Sequence, residues 1–282
     1  LYTPEQLAVE INIVPLQTAR RMIVTFALPG LHQDFRTKPL NYLSHLIGDE
    51  GEGSLLAYLK NKNWVTNLIA GSGIEGEDFK DFNVSFQLTE QGLANRDHIL
   101  QALFSFIALI SNAMDEKWRY QEKAHLGALA YQYEDNPKLQ NIVCDYSQHL
   151  FSFSSDDIKL FRIVIDSFDK EVLENALSYF RPDNIRVKMI APELATDTVC
   201  RFYNAKYQMR PLSQTLLSQL CHPENIPELQ LPPPNPYLGD DYHLTIPQAE
   251  NLTPRLLLDS DYTKLWFAQD DTFHSPKGDL YV

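Results

Sequence analysis

Two kinds of hydrophobic periodicity follow one another along this chain, and their order restricts the fold more than any single motif does. Val9, Ile11 and Ile13 alternate with Glu10 and Asn12, and Phe82, Val84, Phe86 and Leu88 alternate with polar residues. A period of two puts successive side chains on opposite faces of a strand. Between these segments lie two more β-rich runs: Met22 to Leu28, closed by Pro29-Gly30, and Trp64 to Ala70, ended by Gly71-Ser72-Gly73. The period then lengthens. Ile99, Leu100, Leu103, Phe104, Ile107 and Ile110 recur at helical spacing within 93–113, and 118–133, 139–151 and 168–180 read as further helices. Arg181-Pro182-Asp183-Asn184 breaks the last of them, and Ile185 to Ala191 returns to strand. Strands, then helices, then a closing strand predict an α+β fold, a largely antiparallel sheet with helices packed on one face.

Shorter signals fill in the plan. Thr37-Lys38-Pro39 opens a helix, with the proline early, where its missing N–H costs nothing. Leu40, Leu43, Leu46 and Ile47 give that helix an apolar face. A glycine-punctuated acidic loop, 48–53, leads to Ser54, which caps a short helix carrying Leu55, Leu56 and Leu59. Past Arg210 the texture changes. Residues 229–238, LQLPPPNPYL, form an extended connector, because proline joins neither a helix nor a sheet interior. Leu265-Trp266-Phe267 and Leu280-Tyr281-Val282 read as strands beyond it. The expected organisation is one domain over 1–228, followed by a C-terminal extended segment over 229–282 leading towards a next domain.

Charge removes several functions. Lys and Arg number 24 against 37 Asp and Glu, a formal net charge of −13, which lacks the basic footprint that nucleic-acid binding needs. The longest apolar stretch, Ile99 to Ile110, falls short of the ~20 residues that cross a bilayer, so no membrane partner is expected. Cys144, Cys200 and Cys221 are too few and too scattered for a disulfide framework or a metal knuckle. Gly51-Glu52-Gly53-Ser54 is glycine-rich, but its carboxylates would repel a phosphate. Leu1-Tyr2-Thr3-Pro4 has neither the basic start nor the apolar core of a signal peptide, and without an initiator Met we expect a piece of a longer protein.

The block from Tyr42 to Gly71, YLSHLIGDEGEGSLLAYLKNKNWVTNLIAG, resembles the start of the second domain in insulinase/pitrilysin zinc metallopeptidases, the inverzincins. Further matches follow in order: Trp118 with Gln121-Glu122, Arg181-Pro182 with Asn184 and Arg186-Val187, Tyr203 with Tyr207, and LWFAQDDTFHSPK over 265–277. The resemblance implies a four-domain zinc endopeptidase that encloses short peptides in a chamber between two halves. This chain would be its second, non-catalytic quarter, a metallopeptidase-like two-layer α/β roll whose partners are short peptides and the other domains of the same peptidase. Asp270 and Asp271 resemble a family signature, for which a turn or an inter-domain contact is the expected role. The compartment implied is periplasmic for a bacterial parent and cytoplasmic for a eukaryotic one.

Such peptidases hold zinc with an H-x-x-E-H motif, two histidines as ligands and the glutamate activating a water, completed by a downstream glutamate. None of the eight histidines here lies in one. The nearest match, Asn41-Tyr42-Leu43-Ser44-His45, is a degenerate metal site. Asn41 is a poor zinc ligand, and the Ser44 hydroxyl cannot take a proton from water near neutral pH. No catalytic residue, metal or other cofactor is therefore expected in this chain, and zinc only in the parent enzyme. The resemblance further implies a peptide exosite at His45, Gly48, Glu50, Leu68 and Ala70, which anchors the substrate's N-terminal end. An edge strand over 65–71 would offer unpaired N–H and C=O groups to an added peptide. The Gly48 carbonyl and Glu50 would face the charged α-amino group. Asp49 makes that pocket more acidic, and Ala70 adds a methyl where close approach is needed. The alternative is a structural pseudopeptidase subunit of a larger assembly, binding no peptide.

Overall fold

The computed structural model describes residues 2–31, 34–135, 138–151, 153–154, 157–158, 165, 167–239, 241–243, 253–269, 278 and 280. Seven strands make one sheet: β1 (Val9–Ile13), β2 (Arg21–Pro29), β3 (Val65–Glu75), β4 (Phe79–Leu88), β5 (Ile185–Ile190), β6 (Thr198–Val199) and β7 (Lys206–Pro211). Their order across the sheet is β3-β4-β2-β5-β1-β7-β6. Only β1 and β5 pair in parallel; the other ladders are antiparallel. The helices are α1 (Pro39–Ile47), α2 (Leu55–Asn61), α3 (Glu90–Ala94), α4 (Arg96–Asn112), α5 (Lys117–Gln132), α6 (Leu139–His149), α7 (Lys170–Leu177) and α8 (Gln214–Cys221).

The core lies between the helices and one face of the sheet. Register aligns Met22 with Phe86 and Met189, Val24 with Val84 and Val187, and Phe26 with Phe82 and Ile185. Residues opposite each other across a ladder share a face, and these nine are fully or almost fully buried. Leu43, Leu46 and Ile47 of α1, Leu55, Leu56 and Leu59 of α2, and Ile99, Leu103 and Phe106 of α4 pack onto them. Phe26 stacks on Phe180 at 4.5 Å between ring centroids and meets Phe104 at 6.1 Å. Among the described residues no single helix is long and apolar enough to cross a membrane.

Local chemistry sets the helix ends. Ser54 Oγ accepts from Ala57 N at 3.1 Å, and Thr89 Oγ1 from Gly92 N at 2.9 Å, each satisfying a first-turn donor. The helix expected over 93–113 is two helices. Asn95 interrupts it, donating through Nδ2 to the Gln91 carbonyl at 2.8 Å and so ending α3 where α4 begins.

Three features depart from the sequence expectations. First, β3 does not stop at Ala70 but continues through Gly71-Ser72-Gly73 to Glu75, because β4 supplies ladder partners as far as Lys80. Gly73 is required there, since a Cβ would lie 2.2 Å from both Asp81 Oδ1 and Asn83 Nδ2. Second, the polar residues of β1 are buried: Glu10 and Asn12 are each 5% exposed. Glu10 accepts from Arg210 Nη2 at 2.5 Å and faces Arg96 Nε at 3.4 Å, so paired charge replaces solvent there. Third, β6 and β7 have no clear apolar pattern, and β7 is mostly exposed, whereas α8, capped by Ser213 and burying Leu216 and Leu220 one turn apart, has the pattern but is absent from the sequence expectations.

The proline-rich connector has no helix or strand over 229–238. It lies along the domain through main-chain atoms: Gln230 N donates to Gly53 O at 2.8 Å, Arg119 Nε to Pro232 O at 2.9 Å, and Asn235 N to Glu122 Oε2 at 2.9 Å. His125 meets the Tyr242 hydroxyl at 3.3 Å. Residues 119, 122 and 125 recur every third position, along one face of α5. Beyond, β8 (Arg255–Asp259) and β9 (Lys264–Phe267) pair as a separate antiparallel hairpin with every residue exposed. Asp270, Asp271 and the strand expected at 280–282, apart from Leu280, lie outside the described residues.

Candidate functional site

The residues singled out in the sequence fall where α1 crosses β3. Ser44 Oγ donates to the Ala70 carbonyl at 2.7 Å, fixing the helix to the strand. One turn on, α1 ends: Gly48 N donates to Ser44 O at 2.9 Å, and a carbon at the Gly48 Cβ position would sit 4.0 Å from the Ala70 methyl. Ser44 and Gly48 thus bring the C-terminal end of α1 against Ala70 of β3; His45 lies in the same last turn, and Glu50 follows two residues after Gly48. Leu68 is 4% exposed and belongs to the core, and Ala70 packs against it. What these two residues offer a ligand is backbone. Ile69, between them, points the other way and is 65% exposed.

Among the described residues β3 has β4 on one side only, which makes it the edge of the sheet. An edge carries unpaired N–H and C=O groups. The end of α1 adds free carbonyls and the negative end of the helix dipole. Glu50 is exposed, and Asp49 accepts from Gly51 N at 3.1 Å.

His45 is half-buried, and burial holds its pKa below the ordinary imidazole value. The Lys123 ammonium pushes it the same way, while Asp49 and Glu122 pull it back. Glu122 and Lys123, on α5, are site neighbours that the sequence reading did not assign, although Gln121-Glu122 stood in one of its matching blocks. A histidine whose pKa is lower folded than unfolded binds fewer protons in the native state. Its contribution is complete above the unfolded value of 6.5 and is lost as the pH falls from there through the lower folded value. Thermal unfolding followed from pH 8 to pH 5 is thus expected to show a fall in Tm beginning near 6.5, shallower in His45→Gln; identical profiles would remove His45 as a source.

The donor set does not fit zinc. Asn41 is a neutral, exposed amide, and the Ser44 hydroxyl proton is committed to Ala70 O. Among the described residues no three His, Cys, Asp or Glu side chains stand close enough to hold a metal ion.

Residues 2–125 match the peptidase M16 inactive domain, and residues 131–282 the middle or third domain of peptidase M16. The A-factor-processing enzyme of Saccharomyces cerevisiae is 28% identical over 99% of this chain and 28% of its own length. The insulin-degrading enzyme of Homo sapiens is 29% identical over 95% of this chain and 27% of its own. The chain thus spans little more than a quarter of the curated relatives it matches. The crystal structure of pitrilysin superposes with a TM-score of 0.84 at 24% identity, covering 97% of this chain and 29% of that one, which establishes the shared fold. The chain belongs to the insulinase/pitrilysin (M16) family of zinc peptidases, and residues 2–125 carry its inactive domain.

Proposed function

We propose that this inactive domain forms part of the wall of a peptide chamber in a longer zinc endopeptidase and anchors the N-terminal end of short peptides at the edge of β3. The observation that carries the reading is that a free strand edge, 65–75, runs beside the C-terminal end of α1, where Gly48 and Glu50 stand. A peptide added as an eighth strand gains main-chain hydrogen bonds without any demand on its sequence. Its ammonium group then sits against carbonyls and Glu50, which separates a free N-terminus from an internal segment. Zinc and the catalytic step belong to the rest of the parent, and residues 229–282 lead towards it.

Fluorescence anisotropy of a labelled decapeptide on this chain tests the reading. N-acetylation is expected to weaken binding about tenfold, the loss of one charge-assisted contact of ~1.4 kcal/mol. Glu50→Ala is expected to cost a few-fold, since exposed pairs contribute about 0.2–1 kcal/mol. Equal affinity for all three combinations would refute the exosite and leave a scaffold that binds no peptide.

A further inference from the structure

The second face of the sheet, turned away from the core, carries polar chemistry that the peptide edge does not use. Register aligns Thr25 with Asn83 and Arg186, Ile23 with Lys188, and Ala27 with Asp81. Arg186 and Lys188, two residues apart on β5, therefore share this face. Asp81 is 2% exposed, and its carboxylate is already occupied by neutral donors. Oδ1 accepts from Ile74 N at 2.8 Å and Asn83 Nδ2 at 2.9 Å, and Oδ2 from the Tyr2 hydroxyl at 3.4 Å. Thr25 Oγ1 completes the cluster by donating to Asn83 Oδ1 at 2.6 Å.

The two cations are left over. Among the described residues neither forms an ion pair, and Arg186 Nε is buried without a hydrogen-bond partner. Both side chains are half-buried, where an unpaired charge is costly. Burial lowers the Lys188 pKa, helped by the Arg186 charge and opposed by Asp81. The Tyr2 ring lies 4.2 Å from the Arg186 guanidinium and covers one side of it. Arg21, two residues before Ile23 on β2, lies on this face as well, so cations here outnumber the Asp81 carboxylate in a chain whose net charge is −13.

We propose that this outer face is a binding site for a carboxylate group, held between the Arg186 guanidinium and the Lys188 ammonium. A planar carboxylate matches the guanidinium donors edge-on, and the buried Asp81 carboxylate beside them disfavours a bulkier, more highly charged phosphate. The site is independent of the peptide edge, because β5 lies three places from β3 in the sheet and faces away from the core.

The Arg186 Nε–H resonance, observed by NMR at low ionic strength, reports on the site directly. Titration with the tripeptide Ala-Ala-Ala is expected to move it downfield saturably, and the tripeptide amide is expected to leave it in place. Acetate acting as strongly as the tripeptide would identify small free carboxylates as the source, and acetate acting much more weakly would identify a peptide C-terminus. Lys188→Gln, checked for folding by its Tm, is expected to weaken either ligand at least tenfold. The proposal is overturned if acid and amide act alike, if neither acts, if Lys188→Gln changes nothing, or if inorganic phosphate binds more tightly than both carboxylates. The acid–amide comparison uses the unaltered chain and so does not depend on any variant folding.

Discussion

Phe26→Ala is expected to lower the free energy of unfolding by about 3–5 kcal/mol, the usual cost of emptying a fully buried aromatic site. Phe26 is completely buried at the centre of the sheet. It is stacked on Phe180, which follows the end of α7, and tilted against Phe104 of α4, so neighbours held by two different segments cannot both collapse into the space. Against a typical stability of ~5–15 kcal/mol, that loss removes a large fraction of the total. Urea denaturation should show a lower midpoint at unchanged slope. A loss below about 1 kcal/mol would mean that the core relaxes around the gap, which this packing does not allow.

Gly92→Ala sets two effects against each other, and the geometry decides between them. Alanine favours a helix interior over glycine by about 1 kcal/mol, and Gly92 lies in α3. Its added Cβ, however, would stand 1.8 Å from the Trp64 carbonyl oxygen and 2.8 Å from the carbonyl carbon. That obstacle is backbone. The same oxygen accepts from Thr89 N at 3.0 Å, so it cannot swing aside freely. Overpacking of this kind costs ~1–3 kcal/mol and sometimes more, and we expect a net loss of about 3 kcal/mol. Trp64 immediately precedes β3, so hydrogen exchange at Val65 and Thr66 should quicken more than exchange in β5. A stabilised variant would show that helix propensity had won.

What could be read from residue order was whatever depends on neighbours in sequence. The apolar alternation of β4 and the helical spacing within 93–113 marked the core, and the β3 segment with α1 marked the candidate site. Contacts between distant residues were not legible. Nothing local to Gly73 announces that Asp81 and Asn83 pass over it, so the glycines looked like the end of a strand that in fact continues. Glu10 looked like the wet side of a half-buried strand because its partners, Arg96 and Arg210, lie 86 and 200 residues away. Glu122 bears on His45 across a helix packing that no spacing rule reveals. The short β6 and the polar β7 join the sheet by pairing alone, without the apolar pattern that would have marked them.

The hydrogen bonds that hold the connector have an unequal grammar. On the connector side they use the carbonyl of Pro232 and the amides of Gln230 and Asn235, atoms that any residue (or, for the amides, any but proline) would supply. On the domain side, two of the three depend on side chains, Arg119 and Glu122. The path is thus written on the helix while the segment itself is nearly blank: its wording can drift, and its route stays put as long as the arginine and the glutamate do.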